Sequence, residues 1–315
     1  IVFAILFLIT TILLSFMART ASGLDMRQTL LDEIARNRLN PDVLLTQHTG
    51  GVLAAERRVI ESRAFSVLEQ GLKKSLEDNV TEINANNLPD PFQYMHVSLA
   101  VAKSYIHDTD GNGNDEKYFV GKDYIWKSGK EYKVYAAGIA GQPVFENYMS
   151  TQLRADVYGF DCTDHQRWNY EFHFYPWCIG KGGSFEGSQY AHGINEGQQF
   201  YSLKQIKEKL NHKKIDMLKM DIEGFEWDLI QNEIIEGDDA DLPEQLLFEM
   251  HTEGANEKWV PPHNVRGKKV LEATLLVYRL WFRGYRLIHI EVNNGDPRCA
   301  ELAFLRVVPH HSHDA

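Results

Sequence analysis

The sequence predicts an α/β fold, a doubly wound and mostly parallel sheet with helices on both faces, and three observations lead to it. From residue 132 onward, short apolar stretches alternate with amphipathic stretches, which is the pattern of repeated strand–helix units. Several apolar stretches end abruptly in glycine or acidic residues, as strands do at the ligand-binding edge of an open parallel sheet. The last two apolar stretches are separated by a short NGD turn, so we expect them to pair antiparallel.

Local signals define the individual elements. Ser202 and Gln205 form a capping pair at the start of the middle helix, and Gly284 ends the long helix. The fourth strand is apolar almost throughout, so we expect it to be buried on both faces, with Lys219 paired to an acid or extended to solvent. In chain order we predict the strand YKVYAAGIAG, the helix VFENYMSTQL, the strands ADVYGFDCT and YEFHFYPWCIG, the helix SLKQIKEKL, the strands IDMLKMDIEG and EQLLFEMHT, the helix VRGKKVLEATLLVYRLWFRG, and the strands YRLIHIEVN and CAELAFLRV.

Ahead of this α/β region we predict a targeting segment and a stem. The chain opens with IVFAILFLITTILLSFMA, which is uncharged and apolar on all sides, and its length lies between that of a signal-peptide core and a membrane span. We therefore expect a signal anchor or signal peptide over residues 1–20. It directs the protein into the secretory pathway, either membrane-anchored with its domain in the Golgi or ER lumen, or secreted. Two amphipathic segments predict a helical stem over 21–89, and NANNLPDP marks the start of a domain over 90–315.

Composition narrows the partners and the compartment. The formal net charge is −11, which argues against a nucleic-acid partner because phosphate binding requires a basic surface. A glycosylation sequon at Asn79 fits the secretory pathway. Cys162, Cys178 and Cys299 allow either one disulfide with one free thiol or three reduced thiols. The sequence has no CxxC pair, so a zinc site built from cysteines is not expected.

Polar residues gather at four predicted strand ends, which meet at one crevice in an open parallel sheet. Glycines allow a backbone to approach a ligand closely. Asp161 follows Gly141 by 20 residues, the spacing at which an acid binds ribose hydroxyls, so we predict a ligand that contains a nucleoside. The residues at these ends are Gly138 and Gly141 after the first strand, Asp161 after the second, Asp221 after the fourth, and Glu249 and His251 in the fifth.

Four stretches resemble a known group of enzymes: KVYAAGIAGQPVFE, VYGFDCT, IDMLKMDIEGFEW and LLFEMH. They are similar to class I S-adenosylmethionine-dependent methyltransferases of the FkbM-like type, and more closely to the methyltransferase-like 24 family. The resemblance covers roughly residues 90–307. It implies a Rossmann-like, seven-stranded sheet whose last strand is antiparallel, and S-adenosyl-L-methionine as the cofactor.

The same resemblance assigns residues to the donor. It implies that the glycine loop lines the methionine part, that Asp161 binds the ribose, and that Asp221 lies beside the transferring methyl group. Many class I enzymes have an acid near the start of the glycine motif, where this chain has Tyr135 or Ala136. Glu146 is expected to supply that carboxylate instead. The predicted donor contacts are therefore Gly138, Ile139, Ala140, Gly141, Glu146 and Asp161.

The predicted function is methyl transfer from S-adenosyl-L-methionine to an unidentified acceptor. The donor is a sulfonium cation whose leaving group departs neutral, so alignment and proximity contribute most to the rate. If the acceptor is a hydroxyl, the predicted general base is Asp221 or His251. Glu223 and Glu226 are expected in the first turn of the following helix, where acids interact favourably with the helix dipole. Trp227 is expected in the core.

Three alternatives remain open at this level. Asp221, Glu249 and His251 have side chains that could bind a metal together, although we predict no metal. A nicotinamide-dependent oxidoreductase on a similar fold is disfavoured because the chain has no full GxGxxG loop. A domain that binds the cofactor without catalysis, or serves as an interaction module, would keep the same fold.

Overall fold

The structure is a computed structural model, and it describes residues 106–107, 117–163, 170–184, 197–256, 258–269, 272–273, 276–277, 279–280, 283–293 and 295–306. The predicted targeting segment over 1–20, the stem over 21–89 and the sequon at Asn79 lie outside the described residues. Within the described part of the chain, no helix combines the length and the apolar character that crossing a membrane requires.

The strands of the described region, in chain order, are β1 (Ile106–His107), β2 (Phe119–Val120), β3 (Lys133–Ala137), β4 (Asp156–Phe160), β5 (His173–Tyr175), β6 (Cys178–Ile179), β7 (Gly183–Ser184), β8 (Gln199–Tyr201), β9 (Met217–Met220), β10 (Gln245–His251), β11 (Tyr285–Val292) and β12 (Cys299–Arg306). The helices are α1 (Lys122–Ser128), α2 (Val144–Asn147), α3 (Leu203–Leu210) and α4 (Glu226–Leu229). Helices α2 and α4 continue as π-helical turns over Tyr148–Gln152 and Ile230–Ile235. Short 3-10 turns lie at Gly129–Glu131 and Asp239–Asp241. Helical backbone is also present at 272–273, 276–277 and 279–280, inside the predicted long helix.

Seven strands form the central sheet, in the spatial order β11-β12-β10-β9-β3-β4-β5. Strands β5, β4, β3, β9 and β10 run parallel, and β12 pairs antiparallel with both β10 and β11. The predicted doubly wound α/β fold with an antiparallel last strand is therefore confirmed. The strand order reverses at β3, with β4 on one side and β9 on the other. Such a switch point is where ligand crevices form in open α/β sheets.

The stretch YEFHFYPWCIG, predicted as one strand, contributes to two sheets. Strand β5 pairs with β4 at the edge of the central sheet, whereas β6 pairs with β8 in a three-stranded sheet that β7 completes. Pro176 lies between β5 and β6, and a proline cannot donate to a strand ladder. The chain turns there, and the Trp177 N–H donates to the Tyr175 carbonyl at 2.8 Å.

Apolar side chains cover both faces of the central sheet. Strand β9 is buried along its whole length, as its apolar sequence predicts. Leu218 lies in one apolar cluster with Tyr135 and Phe248. Its neighbour Met217 lies in the cluster on the opposite face, with Val134. With both faces buried, the carboxyl ends of the strands are the edge where polar side chains can reach a ligand.

The predicted helix boundaries are present where the sequence signals were strongest. The Ser202 hydroxyl accepts from the Gln205 N–H at 3.1 Å, and the Gln205 side chain accepts from the Ser202 N–H at 2.9 Å. This capping box begins α3, which buries Leu203 and Ile206 against the sheet. Gly284, with φ +89°, follows the long helix as predicted.

Candidate active site

The glycine loop after β3 packs directly against the end of β9. Gly138 has φ +73°, in the left-handed region that favours glycine, and a Cβ there would lie 1.5 Å from the Asp221 carbonyl oxygen. The Asp221 N–H donates to the Ala137 carbonyl at 3.0 Å. A side chain at position 138 would therefore force apart the two loops that meet at the switch point of the sheet.

Glu146 supports this loop from behind. Its side chain is buried, and its Oε1 lies 3.4 Å from the Lys219 Nζ. Lys219 thus has the acidic partner that the sequence predicted, and its ammonium also donates to the Gly138 carbonyl. The sequence predicted Glu146 as a donor contact. The structure instead places its carboxylate beneath the loop, where it fixes Lys219.

Asp161 ties the glycine loop to the end of β4. Its Oδ2 accepts from the N–H groups of Ile139 at 2.9 Å and Ala140 at 2.8 Å. Its Oδ1 accepts from the Thr163 N–H at 2.8 Å and the Thr163 hydroxyl at 2.7 Å. Burial acts to raise the pKa of Asp161, but these hydrogen bonds outweigh burial and lower it. They fill the roughly four acceptor positions of a carboxylate, so a ribose contact, which stays a prediction, requires one of them to be given up.

A pocket opens at the carboxyl ends of β3, β4 and β9, and it is partly open to solvent. The structure divides the predicted site residues into two sets. Those in the pocket wall are Gly138, Ala140, Asp161 and Asp221. Those behind the wall are Ile139, Gly141, Glu146 and His251.

A disulfide and several aromatic rings complete the pocket wall. Cys162 and Cys178 are bonded to each other, and both face the pocket, whereas Cys299 is a free, buried thiol. Of the two cysteine patterns that the sequence allowed, the one with a single disulfide is present. The bond joins the end of β4 to β6 and so connects the small sheet to the central one. The aromatic rings in the wall are Phe160, Trp177, Phe200, Phe225 and Trp259.

Asp221 belongs to a group of carboxylates around one buried ammonium. Its Oδ2 lies 3.9 Å from the Lys117 Nζ, and the same ammonium bonds to Glu301. Burial and the nearby Glu249 raise the pKa of Asp221 to about 6, against the opposing effect of Lys117. Part of the Asp221 side chain remains exposed to the pocket. It is therefore a carboxylate that can exchange a proton slightly below neutral pH.

His251 is buried among three carboxylates. Its Nδ1 lies 3.0 Å from Glu226, and its Nε2 lies 3.4 Å from Glu249 and 3.5 Å from Glu223. Burial acts to lower the pKa of His251, but the carboxylates outweigh burial and raise it well above its ordinary value. The carboxylates around both nitrogens therefore favour the protonated ring. A protonated imidazole has no lone pair to accept a proton, so this arrangement argues against the general-base role of His251, which stays a prediction.

Glu226 lies in the first turn of α4 as predicted, and its side chain is completely buried. Its Oε1 accepts from the His251 backbone N–H at 2.9 Å, and its Oε2 accepts from the Gly224 N–H at 2.8 Å. Trp227 is in the core as predicted, and its indole N–H donates to the His251 carbonyl at 2.7 Å. The start of α4 is therefore bonded to the end of β10.

Glu223 is the functional candidate that the sequence reasoning did not single out. It has φ +55° and Gly224 has φ +92°, so two consecutive residues occupy the left-handed region. This turn places the Glu223 side chain in the pocket wall with 38% of it exposed. Burial raises the pKa of Glu223 to about 7, with Asp221 acting in the same direction and His251 against it. The Glu223–Gly224 pair, which follows Asp221 after one intervening residue, was the available signal, since a Gly in that position favours a tight turn over a helix.

Two groups of side chains in the described region have metal-ligand types within reach of each other. They are Asp221 with Glu249 and Glu301, and Glu249 with His251 and Cys299. In the first group the Lys117 ammonium already bonds or pairs with the carboxylates. In the second group the His251 ring has a carboxylate at each nitrogen.

The sheet order, with antiparallel β12 between β10 and β11, and the pocket at the switch point define a domain with class I methyltransferase architecture. Comparison with known families agrees, since residues 98–306 match the family described as "Methyltransferase domain". This match spans more than half of the chain, and the chain belongs to that family. It is a methyltransferase, and the predicted cofactor, S-adenosyl-L-methionine, is confirmed with the enzyme class. The nicotinamide alternative receives no support.

Several solved structures match the chain at low similarity. One is the Methanococcus jannaschii fibrillarin pre-rRNA processing protein, at 9% identity over 65% of this chain and 89% of that chain, with a TM-score of 0.33. A SAM dependent methyltransferase from Aquifex aeolicus has 12% identity over 67% and 99%, with a TM-score of 0.30. The plantazolicin methyltransferase BpumL in complex with SAH has 12% identity over 89% and 99%, with a TM-score of 0.34. Similarities this low carry no functional argument, and no curated protein matches the chain.

The chemistry of the pocket fits the cofactor. S-adenosyl-L-methionine carries a sulfonium and an ammonium, and two carboxylates, Asp221 and Glu223, lie in the wall at the β9 end. Aromatic rings such as Trp177 lie in the same wall and offer flat surfaces for a purine. The loop at Gly138 brings backbone to the pocket without a side chain.

Proposed function

We propose that this methyltransferase acts in the secretory pathway and that, within its class, it is of the FkbM-like type and closest to the methyltransferase-like 24 family. The observation that carries the catalytic proposal is the position of Asp221. It stands at the end of β9, in the pocket wall, with its backbone against Gly138 of the glycine loop. A carboxylate on this rigid support is well placed to act on a group held beside the loop.

Each end of the pocket has residues suited to one end of the donor. At the β4 end, Asp161 holds the loop N–H groups in place, and Trp177 offers a surface for the adenine. At the β9 end, Asp221 and Glu223 would attract the positive sulfonium and ammonium. Gly138 lies between these ends and would contact the methionine part of the donor.

The bound cofactor supplies an activated methyl group, and the chain supplies alignment. The thioether leaves without charge, so the described residues contribute chiefly by holding the reacting groups in line and by excluding water. If the acceptor group carries a proton, a carboxylate in the wall must take it. Asp221 and Glu223 are the carboxylates in position to do so.

Three features support the secretory pathway. The segment over 1–20, which is uncharged through residue 18, has the character of a signal anchor or signal peptide, and Asn79 lies in a sequon. The disulfide between Cys162 and Cys178 is a bond that persists mainly in oxidising compartments. We expect the catalytic domain in the Golgi or ER lumen or outside the cell, with membrane attachment through the first segment if it is not cleaved. Exposure of residues 90–315 to a cytosolic protease in intact cells would contradict this placement.

The proposed activity is tested in two steps with the purified chain. Titration calorimetry should show binding of S-adenosyl-L-methionine and no binding of NAD. Incubation with methyl-labelled donor and a lumenal extract should then label one or more acceptors, whose identification gives the substrate. Donor binding without any label transfer would indicate that the domain binds the cofactor and does not catalyse transfer. Failure to bind the donor would refute the proposal.

A further inference from the structure

The pocket wall is acidic and aromatic. Of the described residues that line it, two are carboxylates at the β9 end, Asp221 and Glu223, and a third, Asp161, has its lone pairs engaged by protein donors. None of these lining residues is a Lys, Arg or His. Among the described lining residues, an anionic acceptor would therefore meet like charge at the β9 end and no basic side chain.

Aromatic rings line the same pocket as Glu223. Phe225 follows the Glu223 turn and packs on Phe200 with 5.2 Å between ring centroids. Trp259 lies in the same wall with 43% of its surface exposed. The Lys258 ammonium of the chain already lies over the Trp259 ring, 4.4 Å from its centroid. The ring face is thus in a position to attract a cation.

We infer that the methyl acceptor is an amine, recognised as its ammonium between Glu223 and the aromatic rings, and that Glu223 takes its proton before transfer. This inference rests on the proposed methyl-transfer function. The pairing of a carboxylate with aromatic faces is the chemistry that binds ammonium groups in proteins. Hydroxyl and carboxylate acceptors lack the positive charge that such a site favours.

The reaction balances without a further reagent. The ammonium gives one proton to the Glu223 carboxylate and becomes a neutral amine with a free lone pair. That lone pair forms the new N–CH3 bond while the S–CH3 bond breaks and its electrons remain on sulfur. The products are an N-methylammonium, which carries the charge of the former sulfonium, and the neutral thioether. Glu223 then releases its proton to solvent.

The surroundings of Glu223 suit this role. Its Oε2 lies 3.5 Å from the buried His251 imidazolium, which is also held by Glu226 and Glu249. Asp221 lies two residues away in the same wall. Burial and these three neighbouring carboxylates raise the pKa of Glu223, while His251 opposes them, and the result is about 7. A carboxylate with this pKa can accept a proton and release it again near neutral pH.

Three small probes with one scaffold test the inference: benzylamine, benzyl alcohol and benzoate. The chain is first titrated with S-adenosyl-L-homocysteine, the product form of the donor. Each probe is then titrated into the loaded protein at about pH 8 by calorimetry. We expect benzylamine to bind about tenfold or more tightly than the other two probes, as a charge-assisted contact allows. Methyl-labelled donor should also label benzylamine and leave benzyl alcohol unlabelled.

Two variants separate the site from a general charge effect. Glu223→Gln should remove the preference for benzylamine, and a cooperative thermal transition close to that of the wild type shows that the variant is folded. Glu131→Gln removes an exposed acid ahead of β3, at the opposite edge of the sheet, and should keep the preference.

The outcomes distinguish this inference from the proposed function. If the loaded protein binds benzyl alcohol or benzoate as tightly as benzylamine, binds none of the three, or keeps its preference in Glu223→Gln, the amine inference is refuted and the methyl-transfer proposal stands. If the protein binds neither the donor nor its product, the proposed function itself fails.

Discussion

Carboxylate side chains lie at the ends of two strands in this molecule, and their pKa values are shifted in opposite directions. At the end of β4, the Asp161 carboxylate accepts four hydrogen bonds from the chain, and its pKa is lowered. After β9, Asp221 and Glu223 face the pocket among other carboxylates, and their pKa values are raised to about 6 and about 7.

The difference shows that a strand-end acid gains its role from its hydrogen-bond donors. Asp161 has backbone N–H and hydroxyl partners, so it stays ionised and shapes the glycine loop. Asp221 and Glu223 have few donors and several like charges nearby, so they can gain and lose protons at working pH. The carboxylate at the end of β4 therefore supports the glycine loop that binds the donor. The carboxylates after β9 are available for proton transfer. Four variants examine this contrast.

Asp221→Asn is expected to have the largest effect on activity. The amide keeps the side-chain shape but cannot take a proton, and it loses the charge that faces the sulfonium. Methyl transfer should fall by about 10²–10⁴-fold, while the melting temperature changes little. Labelled-methyl transfer and thermal melting measured side by side check this. Wild-type activity combined with a lowered melting temperature would make Asp221 a purely structural residue.

Glu226→Gln is expected to have the largest effect on stability. It removes the charge that balances the buried His251 imidazolium, and breaking a buried ion pair typically costs about 3–5 kcal/mol. Chemical denaturation should therefore show a large loss of unfolding free energy. Glu208→Gln is the matched control, because Glu208 is an exposed acid on α3. Similar small losses in both variants would show that the pair with His251 contributes little.

Asp161→Ala should weaken donor binding by about 1–3 kcal/mol, because the N–H groups of Ile139 and Ala140 lose their acceptor. Calorimetry with S-adenosyl-L-methionine measures the change. Thr163→Val removes only the hydroxyl donor to the same carboxylate, so its effect should be smaller. If donor affinity is unchanged in Asp161→Ala, the loop geometry that Asp161 maintains does not determine cofactor binding.

The smallest effect is a pH dependence of stability that comes from Glu223. Its folded-state pKa of about 7 lies above its ordinary value, so the folded chain binds more protons than the unfolded chain between those two values. Stability contributed by this group is therefore present at low pH and lost as the pH rises to about 7. Solvent screening of the partly exposed carboxylate limits the effect to about 1 kcal/mol or less. Thermal melting across this range should fall less steeply in Glu223→Gln than in wild type, and parallel curves would contradict the raised pKa.

Local signals in the sequence predicted the fold well. Three features depend only on residues that are close together in sequence, so a local sequence pattern predicts them. They are the apolar strand β9, the capping box at Ser202 and the helix-ending Gly284. The strand-end motifs predicted a ligand that contains a nucleoside, and the class of enzyme and its cofactor came from the family resemblance of four stretches of the chain. The sequence did not predict that the third strand is split at Pro176, because a two-residue strand is too short to show a hydrophobic pattern.

The protonation states of the site residues could not be predicted from local sequence patterns. His251 contacts Glu226 from 25 residues away, and Lys117 contacts Glu301 across 184 residues. The charge of an imidazole or carboxyl depends on such partners, and sequence spacing does not report them. For this reason the sequence did not predict that Glu226 is buried against His251 or that the pKa of His251 is raised. Glu223 was missed because its raised pKa comes from burial and from carboxylates such as Glu249 that are distant in sequence.

The disulfide between Cys162 and Cys178 has a consequence for the entropy of ligand binding. It joins two cysteines that are 16 residues apart in sequence, at the end of β4 and in β6. Crosslinking a loop of this size lowers the conformational entropy of the unfolded chain, which corresponds to about 3 kcal/mol of free energy. That restriction is present before any ligand arrives. A ligand that binds against this wall therefore has less chain to order, and more of its contact energy appears as affinity.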